Sequence, residues 1–309
     1  MHHLSDLKGQ PRARSILEAY LQKTPPPLLI LSGPAGTGKH SAAEIFVQSH
    51  FCDTGSACGQ CGPCRRMLKG EHPDYIRFPE DRIKIGDRRK PDDFTIRWLI
   101  STRLPYRPHE APFRFVLFPD ASLIQDEAET SLLKTLEEPP EHTRFIFLVR
   151  DVSELKPTIL SRGLLVPFQL LDRVSLTEVS GVDSPELLDF LAGSLENLEF
   201  FQSELYRSLK SRVADTSSRP GLLELEKWMI DLDRGGAEKM LGAPIESLRL
   251  WSLLVLVWLR HLNADVSGNL RRLAALLDFQ GDLRSEMPGF QSYAISRMFH
   301  RMACYTEGA

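Results

Sequence analysis

Leu28-Leu-Ile-Leu-Ser-Gly-Pro-Ala-Gly-Thr-Gly-Lys-His-Ser41 decides the fold. The apolar run Leu28 to Leu31 reads as a buried strand. It breaks into Gly33-Pro34-Ala35-Gly36-Thr37-Gly38-Lys39, and a helical pattern follows at Ser41-Ala-Ala-Glu-Ile-Phe-Val47. Strand, glycine loop and helix in that order give a G-x-x-x-x-G-K match the context of a phosphate-binding loop rather than a plain glycine turn. Gly33, Gly36 and Gly38 let backbone N–H groups converge on phosphate, and the helix N-terminus adds partial positive charge. Lys39 is expected to reach the β- and γ-phosphates of ATP. The next position should carry a Ser or Thr hydroxyl for magnesium, and it holds His40. Ser41 comes one residue late, turned roughly 100° around the helix. The loop is therefore a candidate ATP site with a doubtful magnesium ligand.

Downstream, Cys52, Cys58, Cys61 and Cys64 form C-x5-C-x2-C-x2-C and take four of the five cysteines. Two-residue gaps let successive thiolates face one ion, with Gly59 and Gly62 supplying tight turns. Four thiolates in a tetrahedron suit a closed, structural zinc site. Iron–sulfur ligation and free thiols are the alternatives. Such a cluster also fits a reducing compartment better than a scattered disulfide framework does.

Phe113-Arg-Phe-Val-Leu-Phe-Pro-Asp120 is a strand ending in an acid, where a P-loop ATPase places its Walker B carboxylates. Aligned that way, Pro119 stands at the magnesium aspartate and Asp120 at the glutamate that activates water. Proline offers no ligand. Further strands are expected at Tyr75–Phe78, Arg144–Val149 and Leu164–Phe168. Helices are expected at Ala13–Leu21, Phe94–Leu104 and Ala121–Leu136. Arg82 to Asp93 mixes both signs of charge and reads as a solvated loop before it reads as a DNA contact. From about Gln169 the pattern turns helical, with Ser184-Pro185 opening one helix, Gly193 to Asn197 another, a turn cluster at Thr216–Gly221 and an apolar helix at Ser247–Leu262. Cys304 reads as a buried helix residue.

With 309 residues there is room for two or three domains. A formal charge of −3 provides no global basic field, so DNA contact is local or made by partners. The most apolar stretch, Leu250 to Leu259, is far shorter than the roughly 20 residues a membrane span needs. A cytoplasmic protein is expected.

Together these residues resemble the clamp-loader branch of the AAA+ ATPases, and within it the delta-prime family of bacterial DNA polymerase III subunits. The carriers are Leu7-Lys-Gly-Gln10, Gly33 to Lys39, the cysteine module with His72-Pro-Asp-Tyr75, Leu132-Leu-Lys-Thr-Leu-Glu-Glu-Pro-Pro140 and Thr158-Ile-Leu-Ser-Arg162. The likeness implies an α/β AAA+ domain with a parallel sheet over 1–168, its zinc module at 52–64. A small helical lid over 169–207 and an all-helical collar for oligomerisation over 208–309 follow. It also implies partners: gamma/tau-type and delta subunits in a hetero-oligomeric ring, with the sliding clamp and primed DNA met through the complex and no membrane.

Three departures separate the chain from the catalytic gamma/tau type. The Walker B pair is broken at Pro119, the strand that should end in a polar sensor ends in Val149-Arg150, and Glu196 stands where the lid usually supplies a phosphate-sensing arginine. The first cysteine gap is also a few residues shorter than the family's usual one. What survives is Ser161-Arg162, whose arginine in clamp loaders serves the neighbouring subunit's ATP site in trans. A structural arginine paired with an acid such as Glu137 is the plain alternative. The resemblance thus implies a replication subunit that does not hydrolyse ATP. An active gamma/tau-type ATPase is the runner-up, and a nucleic-acid module built on the zinc ribbon the third reading.

Overall fold

The computed structural model describes residues 3–214, 219–232 and 237–241, and beyond these 253–255, 257, 258, 279, 295 and 297–299. The chain divides into two compact units, Met1–Glu196 and Asn197–Ala309. The first runs through α1 (Pro11–Leu21), β1 (Leu28–Ser32), α2 (Lys39–Phe51), α3 (Gly62–Leu68), β2 (Tyr75–Arg77) and α4 (Ile96–Trp98). It continues with β3 (Arg114–Phe118), α5 (Asp126–Glu137), β4 (Thr143–Val149), α6 (Pro157–Leu160), β5 (Leu164–Pro167), α7 (Arg173–Ser180) and α8 (Pro185–Leu191). The second unit holds α9 (Leu198–Gln202), α10 (Glu204–Ala214), α11 (Arg219–Asp231) and α12 (Ala237–Leu241).

The sheet has five strands in the order β2-β3-β4-β1-β5, every pair parallel. Parallel sheets are covered on both faces, so their strands read as near-continuous apolar runs. Side chains alternate across the pleat. Leu28, Ile30, Val116, Phe118, Phe145 and Phe147 pack on one face with Leu132, Leu136 and Ile159 of α5 and α6. Leu29, Leu31, Phe115, Leu117, Ile146 and Leu148 pack on the other with Leu17, Ala43 and Phe46 of α1 and α2. Ser32 pairs with Val149 on one side and Pro167 on the other. The glycine loop therefore leaves the sheet at the carboxyl ends of the strands, where open α/β sheets bind ligands.

Local chemistry moves several boundaries. Lys39, not Ser41, opens α2, because left-handed Gly38 sets the turn before it. The helix expected over 94–104 is one turn of α4 that loosens into a π-helical Leu99–Arg103. The helix expected from Ala121 starts at Asp126. Asp120 accepts from the Ser122 amide (3.0 Å) and hydroxyl (2.6 Å), capping a 3-10 turn, and Ile124 bridges to Ile83 in parallel. That bridge pins the charged stretch through buried Ile83 while Arg82, Lys84, Arg88, Arg89 and Lys90 stay exposed. Gly193 to Asn197 does not start a helix, and α9 begins at Leu198. Arg219-Pro-Gly221 opens α11, proline being tolerated in a first turn.

In the second unit α10 packs against α9, α11 and α12. Of the apolar helix expected at Ser247–Leu262, residues 253–255, 257 and 258 are helical and buried, and Trp258 lies 5.4 Å from the Phe299 ring. Trp251, the rest of that stretch, residues 215–218 and Cys304 lie outside the described residues.

Candidate functional site

The glycine loop is built as a phosphate cradle but faces its own chain. Gly33 (φ +150°) and Gly36 (φ +65°) adopt backbone that L side chains rarely take. The Gly33 amide donates to the Val149 carbonyl at 3.2 Å, and a Cβ there would run into the Phe168 carbonyl. A Cβ on Gly36 would run into the Glu196 amide and the Ser194 hydroxyl. The segment Ser194-Leu-Glu196 lies directly on the loop: Ser194 Oγ donates to the Ala35 carbonyl (2.9 Å) and the Leu195 amide to the Gly36 carbonyl (3.0 Å).

Lys39 is 6% exposed, and its ammonium donates to the Pro34 carbonyl at 2.7 Å and to the Gly33 carbonyl. Burial and, after it, the Arg150 charge pull its pKa down to about 8, against the opposing pull of Glu154, Glu196 and Asp120. Beside it, Arg150 at the end of β4 pairs with Glu196 at 3.2 Å. Glu196, which stands where a lid arginine was expected, is thus held by Arg150, the residue after the strand-end position Val149. His40 is exposed on the first turn of α2. Ser41 lines an open groove of about 1190 Å3 along α2, β2 and Phe94–Trp98, a groove that does not include the glycine loop. Asp120 is engaged as a cap. Pro119, at the position expected for the magnesium carboxylate, offers no side-chain ligand.

Gln10 is a support that the sequence marked without a role. Buried, it donates to the Gln169 carbonyl (2.6 Å) and accepts from the Gln169 amide (2.9 Å), with a longer contact to the Thr37 carbonyl (3.4 Å). It ties the loop to the exit of β5. His72-Pro-Asp-Tyr75 has a similar office. Asp74 is fully buried and accepts three amides, from His109 (2.6 Å), Glu110 (2.9 Å) and Ala111 (3.0 Å). Burial alone would raise its pKa, but the three donors outweigh it and hold the carboxyl below the usual range. His72 stacks on Phe51 at 3.8 Å, joining the end of α2 to the same corner.

The four cysteines converge. Their sulfurs all lie within 4.8 Å of one another, Cys61 to Cys52 at 3.9 Å. A tetrahedron of Zn–S bonds of about 2.3 Å puts sulfurs about 3.8 Å apart, so the cluster fits zinc. Cys52 opens the short gap, within which Gly55 and Ala57 take left-handed backbone. Its sulfur accepts from the Cys58 amide, and the Cys58 sulfur from the Cys61 amide, each at 3.4 Å. Such amides favour thiolate: although burial opposes it, hydrogen bonds from Thr54, the Cys58 amide and neighbouring amides bring Cys52 down to about 5. Burial pushes Cys64 up to about 12, a penalty on its thiolate that a bound cation would offset.

At a separate corner stands Arg162, just past α6. One guanidinium nitrogen reaches Glu137 Oε1 at 2.8 Å and another the Thr158 carbonyl, leaving the side chain 31% exposed. Ser161 Oγ donates to the Thr158 carbonyl at 3.1 Å, closing the short helix. Lys156, before α6, bonds Asp126 (3.0 Å) and the nearly buried Glu129 (2.6 Å) on the first turn of α5. The α6 turn is therefore fastened to α5 at both ends.

A family model described as DNA polymerase III, delta subunit, matches residues 9–172, more than half of the chain. The chain belongs to that family. Among related proteins of this clamp-loader group, the Escherichia coli K12 DNA polymerase III subunit tau is 33% identical over 147 residues, 46% of this chain and 22% of that protein. The Bacillus subtilis subunit tau is 29% identical over 196 residues, 62% of this chain and 33% of its own length. The match thus spans about a fifth to a third of these relatives. A crystal structure of a DNA polymerase III gamma subunit-related protein from Thermotoga maritima has the same fold, with a TM-score of 0.54 at 17% identity, covering 96% of this chain and 99% of that one. The family match covers most of the first unit, and among the described residues no helix is long and apolar enough to cross a membrane.

Proposed function

We propose that this chain is a delta-prime-type clamp-loader subunit in DNA replication, which does not hydrolyse ATP and lends Arg162 to a neighbouring ATPase subunit. The observation that carries this reading is the contrast between an exposed arginine, placed before β5, and a loop at the other end of the sheet whose lysine is bonded to the loop's own carbonyls and on which Ser194 and Leu195 are bonded, with Glu196 paired to Arg150. In trans, Arg162 would engage phosphate oxygens with its fixed fork, neutralising charge that develops during phosphoryl transfer. Ser161 closes the turn that presents it.

The remaining assignments follow from the same reading. Residues 169–207 act as the lid and 208–309 as the collar that meets gamma/tau-type and delta subunits in the ring. The sliding clamp and primed DNA are reached through the complex, in the cytoplasm. Cys52, Cys58, Cys61 and Cys64 hold one structural zinc. With all four positions taken by protein, it has no place for a reactive water.

A gamma/tau-type active ATPase is the second reading, favoured by the names of the relatives and by intact Lys39. ATP turnover by the purified chain separates the two. No turnover above background is expected, and a turnover abolished by Lys39→Ala would install the second reading in place of the first.

A further inference from the structure

We propose that Glu137 is the positioning residue for Arg162: it orders the guanidinium before the neighbouring nucleotide arrives. This rests on the trans-arginine reading above. A free arginine carries about 2 kcal/mol of rotamer entropy, part of which must be surrendered when it engages phosphate. Here much of that ordering is already done. Nη2 is held by Glu137 Oε1 at 2.8 Å and Nη1 by the Thr158 carbonyl, with a longer contact to Ser161 Oγ at 3.4 Å. Both anchors are themselves fixed. Glu137 is the last residue of α5, and the α6 turn carrying Thr158 is fastened to the start of α5 by Lys156, through Asp126 and Glu129. Ile159, Leu132 and Leu136 fill the space between.

The acid does not cancel the cation it holds. The pair is half open to water, with side chains 31% and 53% exposed, and such pairs are worth roughly 0–1 kcal/mol. The guanidinium has five N–H donors, so two anchors leave others for phosphate. An oriented charge with donors to spare differs from one consumed in a structural bridge.

The test uses complexes rebuilt with gamma/tau-type and delta subunits, clamp and primed DNA. The Arg162-dependent turnover is defined as wild type minus Arg162→Ala. Glu137→Ala should cut that part by about 2- to 12-fold, the equivalent of the 0.5–1.5 kcal/mol needed to order one long side chain. Glu137→Gln, which keeps the acceptor oxygen, should retain most of it. In the Arg162→Ala background Glu137→Ala should change nothing further. No effect of Arg162→Ala would overturn the trans-arginine reading itself. A normal Arg162→Ala loss with unchanged or raised turnover in Glu137→Ala, or an equal loss from Glu137→Ala in both backgrounds, would overturn this inference alone.

Discussion

Lys39 and Arg162 are the two cations to which the proposed function gives a phosphate role, and the first unit treats them oppositely. Lys39 is buried against two carbonyls of its own loop, beneath Ser194–Glu196 and beside the Arg150–Glu196 pair. Arg162 stands at the α5–α6 corner, anchored but open to solvent. A hydrolysing site needs a cradle, a metal carboxylate and a charge clamp in one place. When sites are shared between subunits, a chain can lose the first two and keep the third, because the clamp serves a different nucleotide. On this account the loop survives as architecture, and the arginine carries the chemistry.

The largest expected effect tests whether the contrast is set within the nucleotide fold or imposed by the inserted module. Cys64→Ser, or chelation of bound zinc, should destabilise the first unit by more than about 4 kcal/mol, the range of lost metal sites. Elemental analysis should find one zinc per chain, and iron or no metal would remove this prediction's basis. Because the module caps the end of α2, both corners should unfold together. Selective loss of nucleotide-loop structure alone would break the comparison.

Gly36→Ala comes next. Its φ of +65° and the Glu196 amide against its Cβ position predict a loss of about 2–4 kcal/mol in thermal or denaturant unfolding. A neutral result would mean that the Ser194–Glu196 segment does not rest on the loop.

The chemistry of the loop sharpens the contrast through pH. Lys39 carries its charge below about 8 and loses it above. Weak ADP binding followed by calorimetry should therefore fall as pH rises through about 8, depend little on magnesium and vanish in Lys39→Ala. Tight, magnesium-dependent binding would contradict the broken metal site at Pro119.

Most of the α/β unit was legible because its signals are local. A glycine loop between an apolar run and a helix, and four cysteines within thirteen positions, declare themselves by spacing. Lys39 as the start of α2 and the 3-10 turn at Asp120 were missed because each depends on a single capping residue. The π-helical Leu99–Arg103 has no sequence period to betray it. Contacts between distant segments were the least readable. Glu196 was identified as a misplaced charge, but its pairing with Arg150 and the docking of Ser194 on Ala35 require the fold. Asp74 was noticed as part of a motif, while its three amide donors come from a loop thirty-five residues away and more. Glu137 was named only as a partner in the structural alternative for Arg162, and that pair is present.

The smallest effect is a control on the open corner. Arg162→Ala removes one half-exposed ion pair, so the stability of the chain should change by no more than about 0.5 kcal/mol, and its association with partners should persist. A large loss would make Arg162 a structural residue.

The central claim is that this chain serves a neighbour's nucleotide and not its own. One side-by-side measurement addresses it: clamp- and DNA-stimulated ATP turnover of complexes rebuilt with Lys39→Ala or with Arg162→Ala. An arginine supplied in trans contributes on the order of 10³ to 10⁵ at the site it serves. The account predicts wild-type turnover with Lys39→Ala and a clear fall with Arg162→Ala that Arg162→Lys does not restore. Turnover lost with Lys39→Ala and kept with Arg162→Ala would contradict it.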